Sequence, residues 1–107
     1  MLREFVNKNG DFIIDIEGIY GTGWILEIER DTKNIIKPEK LRKNDIEVGW
    51  SYSEIEFEVE KNNIKFIIHL DDESGVYIKT ANSLQDKDKH RLREWATIIS
   101  MELSKRK

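Results

Sequence analysis

The stretch Ser53–Leu70, SEIEFEVEKNNIKFIIHL, alternates apolar and polar residues on its first half and is interrupted by a short polar turn. A period of two is typical of a strand with one buried face. It predicts that Ile55, Phe57 and Val59 point inward. Four carboxylates then point outward from the same strand, namely Glu54, Glu56, Glu58 and Glu60.

The two halves of this stretch are predicted to form an antiparallel hairpin. Asn tolerates positive φ, so Asn62–Asn63 suits a two-residue loop. The inward pairs would be Ile55 with Leu70, Phe57 with Ile68, and Val59 with Phe66. The outward pairs would include Glu60 with Lys65 and Glu56 with His69.

Two further runs upstream show the same alternation, DFIIDIE at 11–17 and WILEIER at 24–30. They predict a second hairpin, with Glu27 and Glu29 on its outer face. The inward residues would be Phe12, Ile14, Ile16, Trp24, Leu26 and Ile28. Three glycines between the runs predict a flexible turn. A phosphate-binding loop is not favoured, because such a loop needs a helix directly after it.

The remaining segments give weaker patterns. Residues 2–6 suit one or two helical turns ended by Gly10, with a short strand as the alternative. Pro38 interrupts residues 31–49, which apolar side chains should hold to the body through a short strand or a turn of helix. The sequence DDESG predicts a turn closed by Gly75, and VYIKT predicts a strand with Val76 and Ile78 inward.

A C-terminal helix is predicted to cover the sheet. Ser83 and Asp86 match a capping pattern at its start. The apolar stripe consists of Leu84, Leu92, Trp95, Ala96, Ile99 and Leu103. We therefore expect an α+β fold, in which an antiparallel sheet of about five strands packs on one long C-terminal helix, with residues 1–107 forming a single domain.

The composition of the chain excludes several classes of protein. The chain has 107 residues and no cysteine, which excludes disulfides, a thiolate nucleophile and sulfur-ligated metals. Charged side chains near the N-terminus and the lack of a long apolar run argue against a signal peptide and a membrane span. We expect a cytoplasmic protein.

The row of glutamates on the 53–60 strand is the main candidate site. A solvated strand face explains it without any function, since screened repulsion between neighbours about 7 Å apart is below about 1 kcal/mol. The functional alternative is an anionic surface that binds a basic protein partner. Its predicted residues are Glu54, Glu56, Glu58, Glu60, Glu27, Glu29, Trp50 and Tyr52. The two aromatic residues would be anchors if they lie on the acidic face, and core residues if the strand bulges at Ser53.

Other functional classes have less support. His69 lies near Glu54, Glu56 and Asp71 on the predicted outer face, where a metal site or general base is conceivable. No second histidine supports either role, so a surface histidine is favoured, and we expect no cofactor, no metal and no catalysis. Overall acidity, a net charge of −3, argues against direct nucleic acid binding.

The segments GTGWILEIE and VGWSYSEIEFEVE resemble the small immunity proteins of bacterial polymorphic or contact-dependent toxin systems. The resemblance covers about a third of the chain. It implies one-to-one inhibition of a toxin domain by occlusion, without catalysis. The alternative is a small structural or ligand-binding module of bacterial or phage origin, in which the glutamates are merely solvated.

Overall fold

The computed structural model describes residues 2–20, 22–47 and 53–106. The strands are β1 (Leu2–Val6), β2 (Asp11–Ile16), β3 (Lys40–Glu47), β4 (Ser53–Lys61), β5 (Ile64–Asp71) and β6 (Gly75–Ala81). The α-helices are α1 (Ile25–Asp31) and α2 (Asp86–Lys105). A 3-10 turn, Thr22–Trp24, precedes α1, and a π-helical turn, Thr32–Ile36, follows it.

The predicted hairpin of residues 53–70 is confirmed as β4 and β5. Asn62 and Asn63 form its loop, with φ values of 54° and 65°. The register is the predicted one, and it places the three inward pairs and the pairs Glu60–Lys65 and Glu56–His69 directly opposite one another. Alternation and turn chemistry therefore predict the inner and outer faces of this hairpin correctly.

Within the described residues the sheet has six strands, one more than predicted, in the order β1-β2-β6-β5-β4-β3 with antiparallel neighbours throughout. The N-terminal segment is the strand alternative, β1, which pairs with β2. Residues 40–47, in the stretch after Pro38, form the opposite edge strand β3. The α+β class is confirmed.

The helix α2 packs its apolar stripe against the inner face of the sheet. Leu92, Ala96, Ile99 and Leu103 are fully buried, in one core with Phe57 of β4. Trp95 stacks on Phe66 of β5, with ring centroids 5.8 Å apart. The predicted cap is wrong. Gln85, two positions after Ser83, occupies the N-cap position of α2, and its side chain makes no capping hydrogen bond.

The prediction that WILEIER is a strand is wrong. Residues 25–31 form α1, which packs with the π-helical turn on the same inner face beside α2. Leu26, predicted inward, is exposed, whereas Ile28 is fully buried. Arg106, after the end of α2, donates two hydrogen bonds, of 2.8 and 3.1 Å, to the buried Asp31 carboxylate. The helical segment thus carries the chain across the sheet from β2 to the far edge at β3.

A helix does follow the glycines of residues 18–23, so the reason given against a phosphate-binding loop does not hold. The 3-10 turn contains Gly23 and separates Gly18 from α1, which has only seven residues. The described part of this segment connects β2 to the helical layer, and Ile19 is buried in the core.

The backbone conformation and the close packing at position 75 both require glycine. Its φ is +84°, and an added Cβ would lie 2.7 Å from the carbonyl oxygen of Ile19. Gly10 has the same φ, but nothing lies within 4 Å of its Cβ position. We expect Gly10→Ala to destabilise by about 1 kcal/mol through backbone strain and Gly75→Ala by at least about 2 kcal/mol. Urea unfolding of both variants measures the difference, and equal losses would contradict the close approach at Gly75.

The outer face of the sheet as candidate functional site

The outer face is the side of the sheet opposite both helices. Strand alternation and register arrange its side chains in rows that run across the strands. One row consists of Arg42, Glu58, Ile67, Lys79, Ile13 and Phe5. The next consists of Asn44, Glu56, His69, Tyr77, Asp15 and Arg3. The fixed β spacing makes this a preorganised surface of polar and apolar side chains.

The four glutamates of β4 lie on this face, as predicted, but they are not free charges. The edge strand β3 brings cations against two of them: Lys40 lies 3.9 Å from Glu60 and Arg42 lies 3.5 Å from Glu58. Asn44 also donates a 2.9 Å hydrogen bond to Glu58. Charges of both signs therefore alternate over this half of the face.

Sequence reasoning missed these cations because it placed them in a connection. The run KLRKNDIE has no apolar alternation, so no strand period was visible. The sequence feature that could have revealed β3 is charge complementarity. Lys40, Arg42 and Asn44 occupy every second position, and each lies opposite a glutamate of β4. Charge order on an edge strand can thus indicate its register even where hydrophobicity does not.

The other predicted site residues fall elsewhere. Glu27 and Glu29 lie on α1, in the helical layer on the opposite side of the sheet, so they are not part of this surface. Their placement on the outer face is wrong. Trp50 and Tyr52 lie outside the described residues.

His69 is the centre of the most unusual cluster on the face. The expectation of a surface histidine is wrong, because only 2% of its side chain is exposed. Its ring stacks on Tyr77 of β6, with centroids 4.5 Å apart. His69 points away from the core, but it is buried because β5 is a middle strand and the Tyr77 ring covers the imidazole.

Three carboxylates surround the His69 ring. Nδ1 lies 2.9 Å from Oε2 of Glu56, and Nε2 lies 2.6 Å from Oδ2 of Asp71. Glu54 approaches the same nitrogen, with Oε1 3.3 Å from Nε2. We call these four residues, Glu54, Glu56, His69 and Asp71, the His69 cluster. The sequence had placed them near one another, and the structure brings them into contact.

Asp71 is held in its ionised form by donors on both sides. Burial alone would raise its pKa, but the backbone N–H groups of Ser74 and Glu73 and the ring of His69 together hold the pKa below its ordinary value. The Glu73 N–H donates a 2.8 Å hydrogen bond to Oδ1, the oxygen that also accepts from Ser74. The turn after β5 thus fixes one carboxylate oxygen and leaves the other for His69.

The basic side chain of Lys79 approaches this cluster, with Nζ 4.0 Å from Oε2 of Glu56. Lys79 also lines a groove of about 500 Å³ at the other end of the face, together with Lys40, Arg42 and Lys65. The face therefore has an acidic end, at Glu54 and Asp71, and an end rich in cations, near the β4–β5 loop.

Asp15 gives a prediction about pH. Burial raises its pKa, Arg3 opposes that rise from 3.4 Å, and Glu17 adds to it. A raised folded-state pKa means that the carboxyl stabilises the fold below its ordinary pKa, and that this stabilisation is lost as pH rises through the folded-state value. Asp15→Asn should therefore stabilise the protein at pH 7, by up to about 0.5 kcal/mol, since the site is partly exposed. In urea unfolding the gain should disappear at pH 3, and a variant less stable than the parent at pH 7 would contradict it.

Comparison with family models, with curated proteins and with solved structures finds no match for this chain. Within the described ranges, no helix is long and apolar enough to cross a bilayer. The geometry and charge of the outer face are therefore the basis for inferring a function.

Proposed function

We propose that this protein is a non-enzymatic, immunity-type inhibitor that blocks a basic toxin or nuclease domain with the outer face of its sheet. The observation that carries the proposal is the excess of carboxylate at the acidic end of that face. Glu54, Glu56 and Asp71 meet there within a few ångströms of one histidine, and Lys79 is the nearby ammonium. A lysine or arginine of a partner would find complementary charge at that end.

Two other properties support a binding surface. The face is built on strands, so its charges are held in place before a partner arrives, which reduces the entropy lost on association. Phe5 lies on the same face and is 40% exposed, with Arg3 packed over its ring. An exposed aromatic residue beside ordered charges is typical of an interface anchor.

Charge reversal on the face is the direct test. We expect Glu58→Lys, at the most exposed glutamate of β4, and Glu54→Lys, at the acidic end, each to slow association with a basic toxin or nuclease domain at least about tenfold at low salt. The partner to use is such a domain encoded beside this gene. Binding kinetics at two salt concentrations measure the effect, together with a thermal melt of each variant.

Glu94→Lys is the matched control. Glu94 lies on α2, in the helical layer, with a side chain of similar exposure to that of Glu58, and its reversal changes the net charge by the same amount. It should associate as fast as the parent protein. If Glu94→Lys slows association as much as the outer-face variants do, net charge and not this surface controls binding, and the proposal is wrong.

A ligand-binding module is the second candidate, and the groove at the cation-rich end favours it. The groove is lined by four cations, Lys40, Arg42, Lys65 and Lys79, and by three carboxylates, Asp11, Glu58 and Glu60, beside Ile67. The small excess of positive charge and the apolar lining suit a small anionic ligand with an apolar part. Binding of such a ligand that is lost in Lys65→Glu and unchanged in Glu54→Lys would favour this function.

A further inference from the structure

Two carboxylates of the His69 cluster lie directly opposite each other on neighbouring strands. Glu54 of β4 pairs with Asp71 of β5, and 3% of the Asp71 side chain is exposed. Like charges in opposed positions destabilise a sheet, and burial strengthens their repulsion. A proton or a cation shared by the two carboxyl groups relieves this repulsion.

The imidazole does not resolve this by itself. A neutral ring has one N–H donor, and an ionised carboxylate only accepts. Both nitrogens of His69 nevertheless face carboxylates, Glu56 at Nδ1 and Asp71 at Nε2. A metal ion bound at one nitrogen would satisfy both contacts, since the ring can then donate its single N–H to the carboxylate on the other side.

We propose that Nε2 of His69, Oδ2 of Asp71 and Oε1 of Glu54 form a binding site for one divalent transition-metal ion of the Zn²⁺ type. The three ligand atoms lie within 4.8 Å of one another. One imidazole nitrogen and two carboxylate oxygens are a ligand set that Zn²⁺ accepts with a fourth position left for water. Glu54, the most exposed of the three ligands, provides the route to solvent.

Glu56 has a separate role in this arrangement. A histidine that binds a metal through one nitrogen generally donates its other N–H to a carboxylate, which fixes the ring. Oε2 of Glu56 lies 2.9 Å from Nδ1, on the side of the ring away from Asp71. Glu56 is therefore a positioning residue for the site, and Tyr77 holds the plane of the ring by stacking.

The distances from Nε2 of His69 to the two carboxylates, and the total charge of the cluster, are compatible with a metal ion in place of the hydrogen between Nε2 and Asp71. Bond lengths of about 2.0–2.2 Å place tetrahedral ligand atoms about 3.3–3.6 Å apart. Nε2 of His69 and Oε1 of Glu54 lie at the lower end of that range, 3.3 Å apart, while Nε2 and Oδ2 of Asp71 are closer, 2.6 Å, the distance of a hydrogen bond. Binding would release that hydrogen to solvent as a proton, form the bond from Nε2 to the metal, and open the shorter contact. A divalent ion with Lys79 would then balance the three carboxylates.

The competing position for a metal is on α2. Nε2 of His90 lies 3.0 Å from Glu94 one helical turn away, and both side chains are exposed. This pair offers two ligands, one fewer than the proposed site. His90→Gln therefore serves as the parent for the measurement, because it removes adventitious binding without touching the sheet.

The test is titration of the isolated protein with Co²⁺ and Zn²⁺ after treatment with a chelator. We expect His90→Gln to bind one equivalent of Co²⁺ with the visible absorption of a tetrahedral ion, and Zn²⁺ to raise its melting temperature. Glu54→Gln, which keeps size and strand pairing, should lose at least about a hundredfold in affinity. Glu56→Gln should lose about 10–100-fold, as expected of a residue that orients a ligand.

Several results would overturn the proposal. They are absence of binding by the wild-type chain, binding that His90→Gln abolishes, and affinity that is unchanged in Glu54→Gln. Stabilisation by Ca²⁺ that persists in His69→Gln would indicate a carboxylate site without the histidine, and would also overturn it. Because no partner is present, the result is independent of the proposed inhibitory function.

Discussion

Phe57→Ala is expected to destabilise the protein by about 3–5 kcal/mol, a large part of the total stability of a domain of this size. Phe57 is fully buried in β4, opposite Ile68 of β5 and in the same core as the stripe of α2. The substitution removes apolar burial and leaves a cavity that strands on both sides prevent from collapsing. Urea or thermal unfolding measures the loss.

Phe5→Ala is the control for this variant. Phe5 carries the same side chain on the edge strand β1, but it lies on the outer face and is 40% exposed. Its removal should change the free energy of unfolding by less than about 1 kcal/mol. Equal losses in the two variants would contradict the assignment of inner and outer faces on which the candidate site depends.

Alternation of apolar residues predicted the two faces of β4 correctly, but it also predicted a strand where α1 lies. Over residues 24–30 the apolar positions fit a period of two. Over the longer window 25–36 the buried positions Ile28, Thr32 and Ile36 recur at helical spacing. Seven residues are too few to separate the two periods, whereas twelve favour the helix. In residues 53–70 the Asn62–Asn63 turn supplied a second, independent constraint.

The site was predictable in part. Parity and register placed Glu54, Glu56, His69 and Asp71 on one face, and all four do meet there. The burial of His69 was missed, because it depends on the stacking of Tyr77 from β6 on the His69 ring and not only on the face of β5 from which His69 points. The cations of β3 were not predictable from hydrophobic alternation, because an edge strand needs little of it.

His69→Leu is expected to destabilise the metal-free protein by about 3–5 kcal/mol. Leucine has a similar volume and can pack against Tyr77, so the loss isolates the polar contacts of the ring. Its removal leaves the buried Asp71 and the half-buried Glu56 without their shared partner. Unfolding in the presence of a chelator excludes any contribution from a bound ion.

His90→Leu makes the same substitution where no such cluster exists. His90 is exposed on α2 and contacts Glu94, so its loss should amount to less than about 0.5 kcal/mol. Adding Asp71→Asn to His69→Leu should recover part of the stability, because it removes one of the carboxylates left unpaired. If His69→Leu is as mild as His90→Leu, the carboxylates around the ring are not ionised together. The excess of negative charge at the acidic end would then be absent, and with it the reason for a basic partner or a metal to bind there.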